Sequence, residues 1–353
     1  MRWPWRRSSS GQRLAVSWFG QTLAFVRVTG AGADFRVLQS GVEARGAGSL
    51  DDFARRLQGL GLKGHATTVM LRPEQYQLLQ IEAPAVAPEE LRSAVRYQIK
   101  DMVDVHLDDL TIDVVRLGDG LGRAASQLFV VAAQNAVVRE AMELASAMQW
   151  DVTVIDVQDM AQRNLQTLVE PQRATATLLV GDGRQALLTI SAAGELYYSR
   201  RLELPEGFMA MTWSVPPSEA LAPVDAYTPV EEYVPDYGSP SHRGGGTGSA
   251  GPDSGGSKAD VDLAQRVLVE VQRSIDLWDR TWAALPLAGL RVYAAQRSTE
   301  LAEWLGREMG QTVGVLELPA NWQGAQGIAQ NLMPHCLPLL GQLLRADGRG
   351  PRS

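Results

Sequence analysis

Four histidines, His65, His106, His242 and His335, and one cysteine, Cys336, make up the imidazole and thiol complement of the chain. No two histidines are spaced as HExxH, there is no CxxC pair, and no GxSxG run sets a serine nucleophile on a strand-to-helix turn. Zinc hydrolysis, dithiol redox chemistry and serine hydrolysis therefore lack their residues. Asp101, Asp104, Asp108 and Asp109 are dense enough to suggest a cation site. Their spacing does not fit an EF-hand loop, and they read as solvated acids at a helix end or as partners of Lys100.

Two glycine patterns imitate nucleotide loops. Gly59, Gly61 and Gly64 match GxGxxG, but a dinucleotide loop must follow a strand and open a helix, because the pyrophosphate sits on the helix N-terminus. Here a helical pattern precedes and a strand pattern follows, so these are helix-ending glycines. The run Gly251 to Lys258 carries Ser257 where a phosphate loop places its lysine. The remaining charge pattern is basic: Arg92, Arg96 and Lys100 stand four apart. Such a row could receive an acidic partner, and it is also what an ordinary solvated helix face looks like.

Those residues sit on elements that hydropathy patterning marks out. Tyr76 to Asp113 reads as a strand, a turn between Pro84 and Pro88, an amphipathic helix opening at Pro88, and a second strand. Leu91, Ala94, Val95, Ile99, Met102 and Val103 form its apolar side, which is expected to be buried. Upstream, LAVSWF, LAFVRV and FRVLQSG form a three-stranded meander from Leu14, followed by a helix that Ser49 and Asp52 open with a capping box. Downstream, Gly118 to Gly122 reads as a hairpin turn, 135–150 as a helix, DVTVID as a strand and 159–169 as a short helix. Residues 76–148 thus read as an inserted subdomain.

From Thr177 a second meander repeats the first, with 11 residues between Gly183 and Gly194 against 12 between Gly20 and Gly32. Residues 205–258 are rich in Pro, Gly and Ser and are expected to be disordered or loop. A helix from Asp260, with Leu263, Val267, Val271, Ile275 and Trp278 on one stripe, leads into a strand (LRVYAAQ), a helix, a strand and a last helix. The expected divisions are a tail at 1–13, a first lobe at 14–173 holding the insert 76–148, a second lobe at 174–345 holding 205–258, and a tail at 346–353.

Composition narrows the function classes. With 353 residues, 45% hydrophobic and 21% charged, the chain is an ordinary globular protein with ample core. A net charge of -7 argues against nucleic acid as the main ligand. One cysteine allows no internal disulfide and fits a reducing compartment. No apolar run reaches the roughly 18 residues of a membrane span, and the start, MRWPWRRSSSGQR, lacks the apolar stretch of a secretory signal.

ELRSAVRYQIKDMVDVHLDD (90–109) and VLVEVQRSIDLW (267–278), set in this element order, resemble the PilM-like, actin-fold group of type IV pilus and type II secretion proteins, MSHA pilus members in particular. The resemblance implies an α/β, actin-like (FtsA/PilM-like) duplicated two-lobed fold with a small inserted α+β subdomain. It implies a cytoplasmic platform peripheral to the inner membrane, docking the cytoplasmic N-terminal segment of a PilN-like inner-membrane protein near that subdomain, together with other platform components. Arg92, Arg96 and Lys100 are the expected partner-facing residues. A GspL-like secretion component is a further alternative, disfavoured because such proteins carry a transmembrane segment.

The resemblance also gives the nucleotide positions to inspect. Actin-fold enzymes carry an acid with hydroxyls or glycines in each meander turn, because Mg²⁺ takes carboxylates and phosphates take close backbone amides. Here the first turn offers Ser17, Gly20 and Thr22 and no acid. In the second, Asp182 is displaced by one position, Gly183 follows, and Arg184, Gln185 and Ala186 replace hydroxyls. The helix with Glu270 and Arg273 would border the cleft, and the adenosine-side loop holds Ala295 and Arg297 in place of glycines. Arg184 or Arg297 could meet phosphate as point charges. The expectation is a scaffold without efficient hydrolysis, without a catalytic residue, resident cofactor or metal; the competing reading is an actin-fold ATPase or kinase binding ATP with Mg²⁺.

Overall fold

The computed structural model describes residues 11–31, 34–117, 126–170, 172–181, 184–213 and 258–345. Alternating apolar residues build the first sheet from β1 (Gln12–Phe19), β2 (Thr22–Ala31) and β3 (Asp34–Ala44), an antiparallel meander. Helix α1 (Leu50–Gly59) then carries the chain to β4 (Ala66–Leu71), parallel to β1. Its capping box is formed in both directions between Ser49 and Asp52. With β8 (Asp151–Val157) the sheet order is β3-β2-β1-β4-β8.

The second half repeats the plan. Strands β9 (Ala174–Val180), β10 (Gln185–Ala192) and β11 (Glu195–Glu203) form the second meander, and β12 (Leu287–Tyr293) and β13 (Val313–Val315) run parallel beside β9. The order β11-β10-β9-β12-β13 reproduces that of the first sheet. Parallel neighbours need crossover helices, and α5 (Lys258–Thr281) and α6 (Ser298–Met309) supply them, burying Val267, Val271, Ile275, Trp278, Leu301 and Trp304.

The last helix of each half crosses to the other sheet. Helix α4 (Gln158–Val169) packs on β9, β10 and β11, whereas α7 (Met333–Leu343) packs on β1, β2, β3 and β4. The two helices lie against each other between the lobes, where Asn164 Nδ2 donates to the Gly341 carbonyl at 3.0 Å. The segment after β13 also returns to the first lobe. The Val37 amide donates to the Gln323 carbonyl at 2.9 Å, and Trp322 packs on Phe35 with ring centres 4.6 Å apart, covering part of the open edge of β3.

A third sheet interrupts the first half between β4 and β8. Strands β5 (Tyr76–Glu82), β6 (Leu110–Arg116) and β7 (Gln127–Gln134) are antiparallel in the order β5-β7-β6. Helix α2 (Leu91–Gln98) covers one face with Val95 and Ile99 against Ile81, Leu110, Leu128 and Val130. Helix α3 (Asn135–Ala147), which the sequence places in the insert, contributes Ala141, Leu144 and Ala145 to the first lobe's core beside Phe53 and Leu57. In packing, α3 is that lobe's crossover helix.

Helix α2 is shorter than its apolar pattern implies. Pro88 to Glu90 form a turn, and the helix starts at Leu91. It ends at Gln98, the chain turns so that Met102 donates to the Ile99 carbonyl at 2.9 Å, and Met102 is 46% exposed. The reason is geometric: Leu107–Asp109 must fold back to begin β6 beside β7, and a helix continued to Val103 would point away from it. Residues 118–125, which include the expected hairpin turn at Gly118 to Gly122, and most of 205–258 fall outside the described residues.

Candidate functional site

The site is a cleft between residues of the first and second sheets, beside the α4–α7 pair. Ser17 and Ala24 from the first sheet, Leu179, Gly181, Gln185 and Ala186 from the second, Gln158 at the start of α4, and Pro334, His335 and Pro338 of α7 line one cleft. Arg72, Glu74 and Arg201 complete it. It holds about 530 Å³ of space, counting what is open to solvent.

Of the residues singled out in the sequence, Ser17 lines this cleft. Its side chain is buried near the end of β1, and its Oγ has no hydrogen-bond partner among the described residues. Gly20, at φ +57°, is exposed at the β1–β2 turn and Thr22 begins β2. Asp182 and Gly183 lie outside the described residues. Arg184 is exposed, and its carbonyl accepts from the Leu204 amide at 2.8 Å. The cleft itself was missed as a residue set, because Arg72 with Glu74, Gln158, Arg201 and His335 come from four separate segments and share no common spacing.

The other candidates are committed elsewhere. Glu270 faces Arg200 of β11 and, at 3.1 Å, Arg273 of its own helix. Arg297 stacks 3.8 Å from the Trp213 ring centre, donates to the Met211 carbonyl at 2.7 Å and to Met209, and pairs with Glu300 at 2.6 Å. It fastens residues 205–213 to α6. Ala295 occupies the left-handed region at φ +51°, the conformation that a glycine would hold without strain.

The donor set tests the fit to a magnesium nucleotide. Mg²⁺ is held by carboxylates and phosphate oxygens. Among the described residues of the cleft, the only carboxylate is Glu74, and its oxygen stands 3.8 Å from the Arg72 Nε. No cluster of three or more metal-ligating side chains occurs among the described residues. The described lining thus brings one carboxylate to the cleft, and Asp182, the acid singled out in the sequence, lies outside the described residues.

The buried polar groups beside the cleft act on structure. Gln162 Nε2 donates to the carbonyls of Thr177 at 2.8 Å and Leu187 at 2.9 Å, and Gln166 Nε2 to those of Thr175 and Ser191, both at 2.6 Å. Both glutamines are buried, one helical turn apart, and bridge β9 to β10. Their i, i+4 spacing was the available signal. Burial, reinforced by the Asp159 carboxylate, pushes the Tyr76 phenol well above its ordinary pKa, so its hydroxyl is a fixed donor.

Of the basic row, Arg92 and Arg96 lie on α2. Arg92 pairs with Asp113 of β6 at 2.7 Å, and Arg96 with Asp108 at 2.8 Å and the Leu107 carbonyl at 2.6 Å. Lys100 lies beyond the helix and is exposed. The four aspartates therefore do not act together: Asp108 belongs to Arg96. The other face of the inserted sheet carries Tyr76, Leu78, Phe129, Val131 and Val115, in register across β5, β7 and β6. Leu78, Val115 and Val131 are partly buried against the core that runs into the second lobe.

No family model matches the sequence, and no curated protein does. Among solved structures the chain is similar to the PilM-PilN type IV pilus biogenesis complex, at 15% identity and TM-score 0.63 over 94% of this chain and 98% of that chain. It is similar at lower level to a Bacteroides thetaiotaomicron VPI-5482 protein with an actin-like ATPase fold and unknown function (7% identity, TM-score 0.45, 92% and 96% covered). The cytoplasmic domain of EpsL, an inner membrane component of the type II secretion system of Vibrio cholerae, is similar at 17% identity and TM-score 0.40 over 59% of this chain and 79% of that one. The fold is actin-like, a duplicated two-lobed α/β architecture with an inserted α+β subdomain, the class that the sequence indicated.

Proposed function

We propose that the chain is a scaffold of type IV pilus assembly, of the MshI kind that serves MSHA-like pili. It works at the cytoplasmic face of the inner membrane, where its inserted subdomain docks the cytoplasmic N-terminal segment of a PilN-like membrane protein and so joins it to other platform components. The observation that carries this reading is the β5-β7-β6 sheet with α2, set in a two-lobed chain similar over 94% of its length to the PilM-PilN complex. Its supports are the sequence stretches 90–109 and 270–278 and an inserted sheet whose Leu78, Val115 and Val131 face is only partly buried. Among the described residues no helix is long and apolar enough to cross a membrane. The platform works without efficient ATP hydrolysis, a reading supported by the carboxylate-poor cleft.

The test is fluorescence anisotropy with a labelled synthetic peptide of the PilN-like protein's N-terminal cytoplasmic segment. Saturable binding at or below tens of micromolar is expected, and its absence sinks the proposal. A nucleotide-binding actin-fold enzyme is the second reading, favoured by Ser17, Gly181 and Gln185 meeting at one cleft. Calorimetric titration with Mg²⁺-ATP separates them: heat of binding together with phosphate release supports the enzyme.

A further inference from the structure

The second lobe and the root of the inserted subdomain meet at one buried carboxylate. Asp159, in the first turn of α4, is 1% exposed. One of its oxygens accepts from the Tyr76 hydroxyl and the other from the Ser199 hydroxyl. Tyr76 is the first residue of β5, where the chain leaves the first lobe for the insert, and Ser199 lies on β11. Two residues on, Arg201 donates to the Tyr76 carbonyl at 2.8 Å and holds its guanidinium 4.8 Å from the Tyr76 ring centre. Side chains two apart on a strand share a face, so β11 presents both groups to the same tyrosine. Arg201 also lines the cleft.

A carboxylate removed from water is stable only while its oxygens are supplied with donors. Here the donors come from two separate units, the insert and the second lobe, and the carboxylate belongs to the helix between them. We propose that Asp159 is an interlobe latch: it fastens the root of the inserted sheet to β11, and its release lets the insert move away from the second lobe as a local opening. That opening uncovers the face carrying Leu78, Val115 and Val131, which packs against the core shared with the second lobe. Because Arg201 serves both latch and cleft, a change in the cleft reaches the insert through it. The link to docking rests on the scaffold reading above, whereas the latch stands without a partner.

Hydrogen exchange of the full chain, followed by mass spectrometry, tests it with Tyr76→Phe, Ser199→Ala, Asp159→Asn and Arg201→Gln. Tyr76→Phe keeps the ring and the packing, so it removes one hydrogen bond alone. Each variant is expected to raise exchange across 76–82 and 195–203 by about tenfold or more, the range for losing a hydrogen bond that involves a charged group. Residues 50–59 and 298–309 keep wild-type exchange. The Tyr76→Phe/Ser199→Ala pair should be less than additive, since both act on one carboxylate. Unchanged exchange in the two segments, or an even rise through 50–59 and 298–309, overturns the latch. If the segments open and the PilN-like peptide binds no variant, the docking reading falls and the latch stands; if the peptide binds and the segments stay closed, the latch falls and docking stands.

Discussion

Gly341 of α7 lies against the backbone carbonyl of Ala161 in α4, and a Cβ placed on it would also come within 2.8 Å of Leu165 Cγ. The two helices that tie the lobes together can cross this closely because α7 has no side chain at that point. Gly341→Ala is therefore expected to destabilise the protein by about 1–3 kcal/mol through overpacking. Gly327→Ala, whose added Cβ meets nothing within 4 Å, is the control, expected within about 0.5 kcal/mol of wild type. Urea denaturation midpoints decide it, and equal effects at both positions would refute the steric account.

Gln166→Leu keeps approximate volume and removes the donor shared by the Thr175 and Ser191 carbonyls. A loss of about 1–3 kcal/mol is expected for buried acceptors left short of a donor. A change under about 0.5 kcal/mol in the same urea experiment would mean that the β9–β10 ladder alone satisfies those carbonyls.

The Arg297–Glu300 pair gives a pH dependence. The Arg297 hydrogen bond, with its charge as a smaller contribution, holds the Glu300 carboxyl below the ordinary value of 4.5. A depressed acid contributes stability above its unfolded pKa and loses it as pH falls through the folded value. Glu300 is 39% exposed, so solvent screening limits the effect to about 1 kcal/mol or less. Arg297→Ala should flatten the acid limb of stability below about pH 4.5, read from urea midpoints between pH 3 and pH 7. An unchanged limb removes this pair from the acid response.

Cys336 is fully buried, and burial pushes its thiol up to about 12. At pH 8 a maleimide is expected to label it only through opening of the α7 packing, about a thousandfold slower than in urea-unfolded protein. Gly341→Ala should hasten labelling. Reaction at the free-thiol rate in the native protein would contradict the burial of α7.

Arg92 and Asp113 are both more than half exposed, so Arg92→Ala should change stability by about 1 kcal/mol or less. If the basic row steers an acidic partner, Arg92→Ala/Arg96→Ala/Lys100→Ala weakens peptide binding by about fivefold or more and removes its salt dependence. Unchanged affinity would shift docking to the Leu78 and Val131 face.

Much of the architecture was legible locally. The meander of β1 to β3 repeats in β9 to β11 because alternation and turn glycines are properties of a few adjacent residues, and the capping box at Ser49 and Asp52 is closed within four residues. The sequence alone also determined the stripe of α5 and the helix-ending role of Gly61, whose amide donates to the Gln58 carbonyl; Gly64 lies beyond that end and donates to the Met148 carbonyl. The end of α2 was not legible, because its apolar spacing continues to Val103 while the fold needs the chain to turn back for β6.

The site belonged to the tertiary structure. Ser17 stands in a stretch that the sequence singled out, but Arg72, Gln158, Arg201 and His335 come to line one cleft with it only when two sheets and two crossing helices are assembled. Arg297 shows the reverse: its sequence position made it a point charge that could meet phosphate, and in the fold it is bound to Glu300, Trp213 and two carbonyls. Asp159 with Tyr76 and Ser199 is the clearest case. Hydrogen bonding acts over about 3 Å in space, and three residues 40 and 83 positions apart carry no trace of that distance in the order of the chain.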